Sequence, residues 1–155
     1  MRTAVDTNVF SALLSGDEEA VTTMQAALEG AAAGGLLAVS PAVYAELLAG
    51  RDAEVVDDFF SNKGIDVDWN LGAEVWRTAG ARYGAYARDR RRQRGDAGPR
   101  RILADFLIGA HALHLAHALL TSDTRIYGTY FSELEVISPQ GSSRDDPGGT
   151  SRPTP

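Results

Sequence analysis

The sequence contains no cysteine and only one lysine, Lys63, among its 155 residues. The lack of cysteine excludes disulfide bonds and thiolate metal sites. No apolar run approaches the roughly 20 residues that a membrane-spanning helix needs. The first residues do not read as a signal peptide, because Asp6 interrupts their short apolar stretch at once. We therefore expect a cytoplasmic protein without a membrane segment.

The composition is that of an ordinary globular protein, with 44% hydrophobic and 23% charged residues. A chain of this length can bury a sizeable core in one domain. We expect this domain to span residues 1–139. Residues 140–155 are rich in Pro, Gly, Ser and Asp and have no apolar periodicity, so we expect a disordered C-terminal tail.

The net charge is −6, but the positive charge is concentrated in one segment. The seven arginines between residues 88 and 101 are Arg88, Arg90, Arg91, Arg92, Arg94, Arg100 and Arg101. Guanidinium groups bind phosphates bidentately and stack on bases. A run of charge is also typical of a solvated helix end. Candidate RNA-binding residues are Arg90, Arg91, Arg92, Arg94, Arg100 and Arg101.

Short apolar runs alternate with helical patterns along the chain. The predicted strands are residues 2–6, 36–39, 64–67, 119–121 and 134–137. Strands that alternate with helices indicate a parallel sheet covered by helices on both faces. The pattern predicts a three-layer α/β/α sandwich with a central, mainly parallel sheet of four to five strands.

Four acids occupy positions that this fold would bring together. Asp6 ends the first strand and Asp123 follows the fourth, while Glu46 and Asp105 lie on predicted helices. Ligands of open α/β sheets bind outside the carboxyl ends of the strands. Four carboxylates there would repel one another unless a cation lay between them. Ligation by oxygen alone favours Mg²⁺ or Mn²⁺.

Each acid also has an ordinary structural interpretation. Asp6 and Asp123 could cap the helices that follow them, and Glu46 could lie on a solvated helix face. Asp105 is harder to explain in this way. At about 100° per residue it shares a helix face with Phe106, Ile108 and Ala112, and a buried acid needs a partner.

Three histidines on the same predicted helix resemble a metal cluster by their spacing alone. His111, His114 and His117 project to the face opposite the apolar stripe and away from Asp105. We therefore expect them to be solvated or to lie at an interface.

Two other Mg²⁺-binding α/β classes fit the sequence poorly. A receiver domain would need paired acids after the first strand and a lysine after the last, and Lys63 is misplaced for this. A haloacid-dehalogenase-like phosphatase would need a second acid two residues after Asp6, where this chain has Asn8.

Four segments together resemble the motifs of PIN-domain ribonucleases. Val5-Asp6-Thr7-Asn8-Val9-Phe10 resembles the first motif, and residues 40–47, 101–112 and 119–127 resemble the second, third and fourth. The match is in order and covers residues 1 to about 139. Size and motif style are closest to the VapC-type toxins of type II toxin–antitoxin modules. Tyr127 departs mildly from the pattern, at a position that we expect not to contact the metal.

The resemblance implies a Mg²⁺- or Mn²⁺-dependent endoribonuclease that cuts structured RNA, either transfer RNA or ribosomal RNA, and is neutralised by a cognate antitoxin. Asp6, Glu46, Asp105 and Asp123 match the family's catalytic acids, with Thr7, Asn8 and Thr121 in support. Asp6 and Asp105 would hold the metal, and Glu46 and Asp123 would join them directly or through water.

The resemblance also implies partners. A homodimer is expected, bound to an antitoxin through an apolar groove between the alanine-rich helix before Gly34 and the helix bearing Tyr44, Leu47 and Leu48. The alternative function is a catalytically silent PIN-like module that binds RNA or a protein partner without cutting.

Overall fold

The fold is a five-stranded parallel sheet covered by helices, seen in a computed structural model that describes residues 1–14, 17–94 and 102–139. The strands are β1 (Arg2–Val5), β2 (Leu36–Val39), β3 (Ile65–Val67), β4 (Ala118–Leu120) and β5 (Glu135–Ile137). Their order is β3-β2-β1-β4-β5, and every neighbouring pair is parallel. The predicted fold class is confirmed.

Helices follow the strands and form the outer layers of the sandwich. They are α1 (Thr7–Leu13), α2 (Glu18–Gly34), α3 (Pro41–Leu48), α4 (Ala53–Lys63), α5 (Ala73–Arg94), α6 (Leu103–Leu115) and α7 (Thr124–Tyr130). In the part of the chain that the structure describes, no helix is both long and apolar enough to cross a bilayer. The predicted tail at 140–155 lies outside the described residues.

Local sequence signals set several of these helix ends. The Asp17 carboxylate accepts hydrogen bonds from the backbone N–H groups of Glu19 and Ala20 at the start of α2. Ser40 caps α3 in the same way, with Pro41 at the first helical position. Gly64 ends α4 in the left-handed region at φ 63°. These signals lie within a few residues of the ends that they define.

Gly35 allows β2 to begin directly beside the start of the chain. Its φ is 154°, and a Cβ atom there would lie 1.8 Å from the carbonyl oxygen of Met1. The N–H of Leu36 donates to this same carbonyl at 2.9 Å. β2 pairs with β1 in the register Arg2↔Leu36, and because the two strands are parallel their carboxyl ends lie at the same edge of the sheet.

Helix α6 is buried on more than one face. It ends at Leu115, because the backbone N–H of His117 donates to the carbonyl of Arg2 and draws the chain into the sheet. Both α5 and the sheet pack against it. His111 is consequently fully buried, so the prediction that it is solvated or at an interface is wrong.

The buried His111 belongs to a cluster around Asp68, which we call the Asp68 cluster (Arg2, Asp68 and His111). Arg2 makes a bidentate ion pair with Asp68, both contacts at 2.7 Å. The Nε2 atom of His111 lies 2.7 Å from Asp68 Oδ2. The cluster links β1, the segment after β3 and α6. His114 and His117 are exposed, as expected.

Candidate active site

A pocket opens at the carboxyl edge of the sheet, where the strand order reverses between β1 and β4. Its volume is about 610 Å³. The residues that line it are Asp6, Thr7, Asn8, Ser11, Glu46, Ala49, Asp105, Ser122, Asp123 and Tyr127. All four predicted acids therefore lie around one cavity.

Asp6 is the most buried of these acids, with 5% of its surface exposed. It follows β1 directly, and its backbone N–H donates to the carbonyl of Leu120 in β4 at 3.0 Å. Three side chains donate to its Oδ2 atom: Thr121 at 2.7 Å, Asn8 at 3.0 Å and Tyr127 at 3.2 Å. These donors hold the carboxylate in one orientation at the floor of the pocket.

Asn8 and Thr121 join the first strand end to the fourth. The Asn8 amide donates to Thr121 Oγ1 at 3.0 Å, and its carbonyl oxygen accepts from the N–H of Ser122 at 3.1 Å. Thr121 Oγ1 also accepts from the N–H of Asp123 at 3.0 Å. The two segments that carry Asp6 and Asp123 are thereby fixed relative to each other.

The other acids reach the pocket from helices. Glu46 is half-buried on α3 and accepts a short hydrogen bond from Thr7 Oγ1. Asp105 is half-buried in the first turn of α6. Asp123 is half-buried at the start of α7. Helices from both sides of the sheet thus complete the acidic lining.

Asp6 and Asp123 occupy N-cap positions without acting as side-chain caps. Neither carboxylate makes a cap hydrogen bond to the helix that follows it. Asp17, in contrast, caps α2 in the ordinary way. Helix capping therefore does not explain why acids stand at positions 6 and 123.

The pocket is electrostatically unfavourable for its own carboxylates. Burial raises the pKa of Asp6, and the charge of Asp105 raises it further, while hydrogen bonds from Thr121, Tyr127 and the Thr7 backbone oppose this. Burial, together with the charges of Asp6, Asp105 and Asp123, also raises the pKa of Tyr127. The Tyr127 hydroxyl is therefore a neutral donor, and the pocket would be stabilised by a bound positive charge.

The donor set fits a hard divalent cation, because it consists of carboxylates with hydroxyl and amide groups around them. Within residues 1–14, 17–94 and 102–139, no three His, Asp or Glu side chains are already arranged to hold one metal ion. Two of the pocket carboxylates are held by other side chains: Asp6 by Thr121, Asn8 and Tyr127, and Glu46 by Thr7.

The predicted residues differ in where the structure puts them. Thr7 and Asn8 line the pocket, and Thr121 is buried behind Asp6. Arg90, Arg91 and Arg92 lie near the end of α5, while residues 95–101 and the side chain of Arg94 lie outside the described part. The roles of these residues stay predictions.

Tyr127 is the site residue that the sequence reasoning missed. Its hydroxyl contacts Asp6, the predicted metal ligand, and the expectation that Tyr127 does not contact the metal itself stays a prediction. Its place four residues after Asp123 was the available signal. One helical turn beyond an N-cap residue, a side chain can lie over the preceding strand end.

Helix α1 packs against both α2 and α3, the two helices between which the apolar groove was predicted. A small apolar cavity lies instead between α1, α3 and α4. Its lining includes Phe10, Leu14, Leu47, Val55 and Phe59, and its volume is about 50 Å³.

Comparison with known proteins gives one family and several similar structures. A family model described as the PIN domain matches residues 3–132. No curated protein matches the sequence.

Three solved structures illustrate the shared fold. A chain of VapBC2 from Rickettsia felis, bound to a DNA fragment from the promoter, is 22% identical with a TM-score of 0.59, over 89% of this chain and 98% of that one. A chain of VapBC-1 from nontypeable Haemophilus influenzae is 18% identical with a TM-score of 0.60, over 90% of this chain and 99% of that one. A chain of a toxin–antitoxin complex from Klebsiella pneumoniae is 20% identical with a TM-score of 0.57, over 88% of this chain and 97% of that one.

Proposed function

The chain belongs to the PIN-domain family, and from this premise we propose that it is a divalent-metal-dependent endoribonuclease, the toxin of a type II toxin–antitoxin module. The observation that carries the proposal is the meeting of Asp6, Glu46, Asp105 and Asp123 around one pocket at the carboxyl edge of the sheet. The substrate class is structured RNA, either transfer RNA or ribosomal RNA.

The four acids would have different roles in binding the metal ion. Asp6 and Asp105 would hold the Mg²⁺ or Mn²⁺ ion, and Glu46 and Asp123 would join them directly or through water. When bound, the ion would lower the pKa of a water molecule and offset the negative charge that develops on the phosphate. Thr7 orients Glu46, while Asn8 and Thr121 orient Asp6.

The arginines near the end of α5 would hold the RNA backbone. Arg91 and Arg92 are exposed and Arg90 is half-buried, so Arg91 and Arg92 in particular can reach a ligand from solvent. Guanidinium groups there would offset the repulsion between an acidic protein, with net charge −6, and RNA. The binding groups would thus be separate from the cutting groups.

The proposal is tested by incubating the purified protein with total cellular RNA and Mg²⁺ or Mn²⁺, and mapping the cuts by sequencing. We expect discrete cuts that disappear with EDTA. Asp6→Asn or Asp105→Asn should lower the rate more than about 100-fold, above the range typical of changing a group that only supports a metal ligand.

Asp58→Asn is the matched control, because Asp58 is an exposed acid on α4 outside the pocket. It should cut as the unchanged protein does. Metal-dependent cutting that survives in folded Asp6→Asn and Asp105→Asn would contradict the proposed site. Specific RNA binding without any cutting would favour the alternative of a catalytically silent module.

The same premise leads to an antitoxin partner. Leu14 and Val55 border the cavity between α1, α3 and α4, and 39% and 54% of their respective surfaces are exposed. An apolar segment of the antitoxin would cover these side chains. The proposed assembly is a homodimer of this chain with antitoxin bound to each copy.

The partner is tested by looking for a small protein encoded beside this chain, co-expressing the two, and measuring the mass of the complex by light scattering. We expect a complex of two copies of each chain that no longer cuts RNA. Val55→Asp should weaken it at least tenfold, whereas Trp76→Asp, which changes an equally exposed apolar residue on α5, should not. Equal weakening by both variants would rule out the surface around the cavity between α1, α3 and α4 as the antitoxin site.

A further inference from the structure

We propose that Tyr127 is a positioning residue for the metal site, and that its hydroxyl holds Asp6 so that the second carboxylate oxygen faces the pocket. The inference rests on the proposed function and deepens it. Its basis is the hydrogen bond of 3.2 Å from the Tyr127 hydroxyl to Asp6 Oδ2.

The tyrosine ring is rigidly held. Only 1% of Tyr127 is exposed, and its ring centroid lies 6.0 Å from that of Phe131, which is itself fully buried. The ring belongs to the same apolar core as Ile126. The position of the hydroxyl is therefore set by packing, and it does not depend on a bound ligand.

The three side-chain donors to Asp6 all converge on the same oxygen atom. Thr121, Asn8 and Tyr127 each donate to Oδ2, and none of these three bonds goes to Oδ1. A carboxylate fixed through one oxygen offers the other in a defined direction. Oδ1 is the Asp6 oxygen to which none of these three side chains donates, so it would remain available to help hold the ion.

Tyr127 differs from the other two donors in what else it does. Thr121 and Asn8 also contact each other and the backbone of residues 122 and 123. The Tyr127 hydroxyl has one hydrogen bond among those described, and it goes to Asp6. Removing that hydroxyl alone consequently isolates the orientation of Asp6 from the rest of the network.

The test is Tyr127→Phe, which keeps the buried ring and removes one oxygen atom. Mn²⁺ binding is measured on the full chain by the loss of the free-ion electron paramagnetic resonance signal. We expect the Mn²⁺ dissociation constant to rise about tenfold, as for other partners that orient a metal ligand. RNA cutting should fall at limiting Mn²⁺ and recover at saturating Mn²⁺.

Tyr130→Phe is the matched control, because the Tyr130 hydroxyl also donates to a carboxylate, Asp89, at 3.0 Å and outside the pocket. It should leave Mn²⁺ affinity unchanged. A purely structural role for Tyr127 would lower thermal stability without altering the Mn²⁺ dissociation constant, and that result would overturn the inference.

A second measurement needs no variant that must fold. With ¹³Cζ-labelled tyrosine, Mg²⁺ should shift the Tyr127 signal and leave the Tyr130 signal in place. An unshifted Tyr127 signal in protein that binds Mg²⁺ would also overturn the inference. If the unchanged protein neither binds Mn²⁺ nor cuts RNA, the proposed function fails and the inference fails with it. Binding and cutting that are unaffected by Tyr127→Phe remove the inference alone.

Discussion

His111 is a fully buried titratable side chain, and its protonation is linked to stability. Burial lowers its pKa below the ordinary value of 6.5, although Asp68 opposes this. The neutral ring donates from Nε2 to Asp68, and Nδ1 has no hydrogen-bond partner in the described structure. A second proton on the ring would add a buried donor that lacks an acceptor.

We expect the free energy of unfolding to fall as the pH drops below about 6.5, down to the lowered pKa of folded His111. In this range the unfolded chain binds a proton that the folded protein does not, so acid favours unfolding. Urea unfolding at pH 7.5 and pH 5.5 measures the difference. His111→Gln, which keeps a donor for Asp68, should make this difference smaller.

His114→Gln is the control, because His114 lies on the same helix and is exposed. It should leave the pH dependence as it is. The same dependence in the unchanged protein and in His111→Gln would contradict the linkage.

Asp68 affects stability in a separate pH range. Burial would raise its pKa, but Arg2 and His111 outweigh this and lower it. The contribution of Asp68 to the free energy of unfolding is present above its ordinary pKa of 3.8. It is lost as the pH falls below that value and through the lowered pKa of the folded protein.

At the scale of elements, Gly109 sets how closely α6 approaches the segment after α7. A Cβ atom at this position would lie 2.6 Å from Cε2 and 2.7 Å from Cζ of Phe131. Phe131 is fully buried, with its ring centroid 6.2 Å from that of Phe106. The ring cannot move aside without disturbing the core, so any side chain at this helix position must displace packed atoms.

Gly109→Ala should therefore destabilise the protein by roughly 1–3 kcal/mol, the usual cost of overpacking a core. Gly80→Ala on α5 is the control, since its Cβ would meet open space and alanine favours the helix by up to about 1 kcal/mol. Urea unfolding of both variants gives the comparison. A Gly109→Ala protein as stable as Gly80→Ala would show that Phe131 moves freely.

Elements that depend on nearby residues could be predicted from the sequence. Asp17 and Ser40 are residue types that favour the helix N-cap, and both cap their helices. The strands before Asp6 and Asp123 lie within a residue or two of their predicted bounds. The end of α6 could not be predicted, because it depends on a hydrogen bond from His117 to Arg2, which is distant in the chain.

The same limit applies to two side chains of the site and the core. A helical projection assumes one buried face, so it placed His111 in solvent, but α6 packs against both α5 and the sheet, and His111 contacts Asp68 after β3. The position of Tyr127 gave no direction for its hydroxyl, which depends on the packing of α7. The four acids were predictable as a set because parallel strands share one carboxyl edge.

At the scale of the whole molecule, the acidic pocket joins the two ends of the domain. β1 pairs with β4 in the register Thr3↔Ala118, and Thr121 donates to Asp6 across this junction. A contact between residues so far apart in the chain forms only after a large loop closes. The pocket is therefore a property of the complete domain.

This pairing has a consequence for biosynthesis. While the ribosome is still adding residues, Asp6 has left the exit tunnel but Thr121, Asp123 and Tyr127 have not. A nascent chain consequently lacks one wall of the acidic pocket until the domain is almost finished. An unfinished or prematurely terminated chain therefore has no complete cluster of carboxylates until β4 enters the sheet.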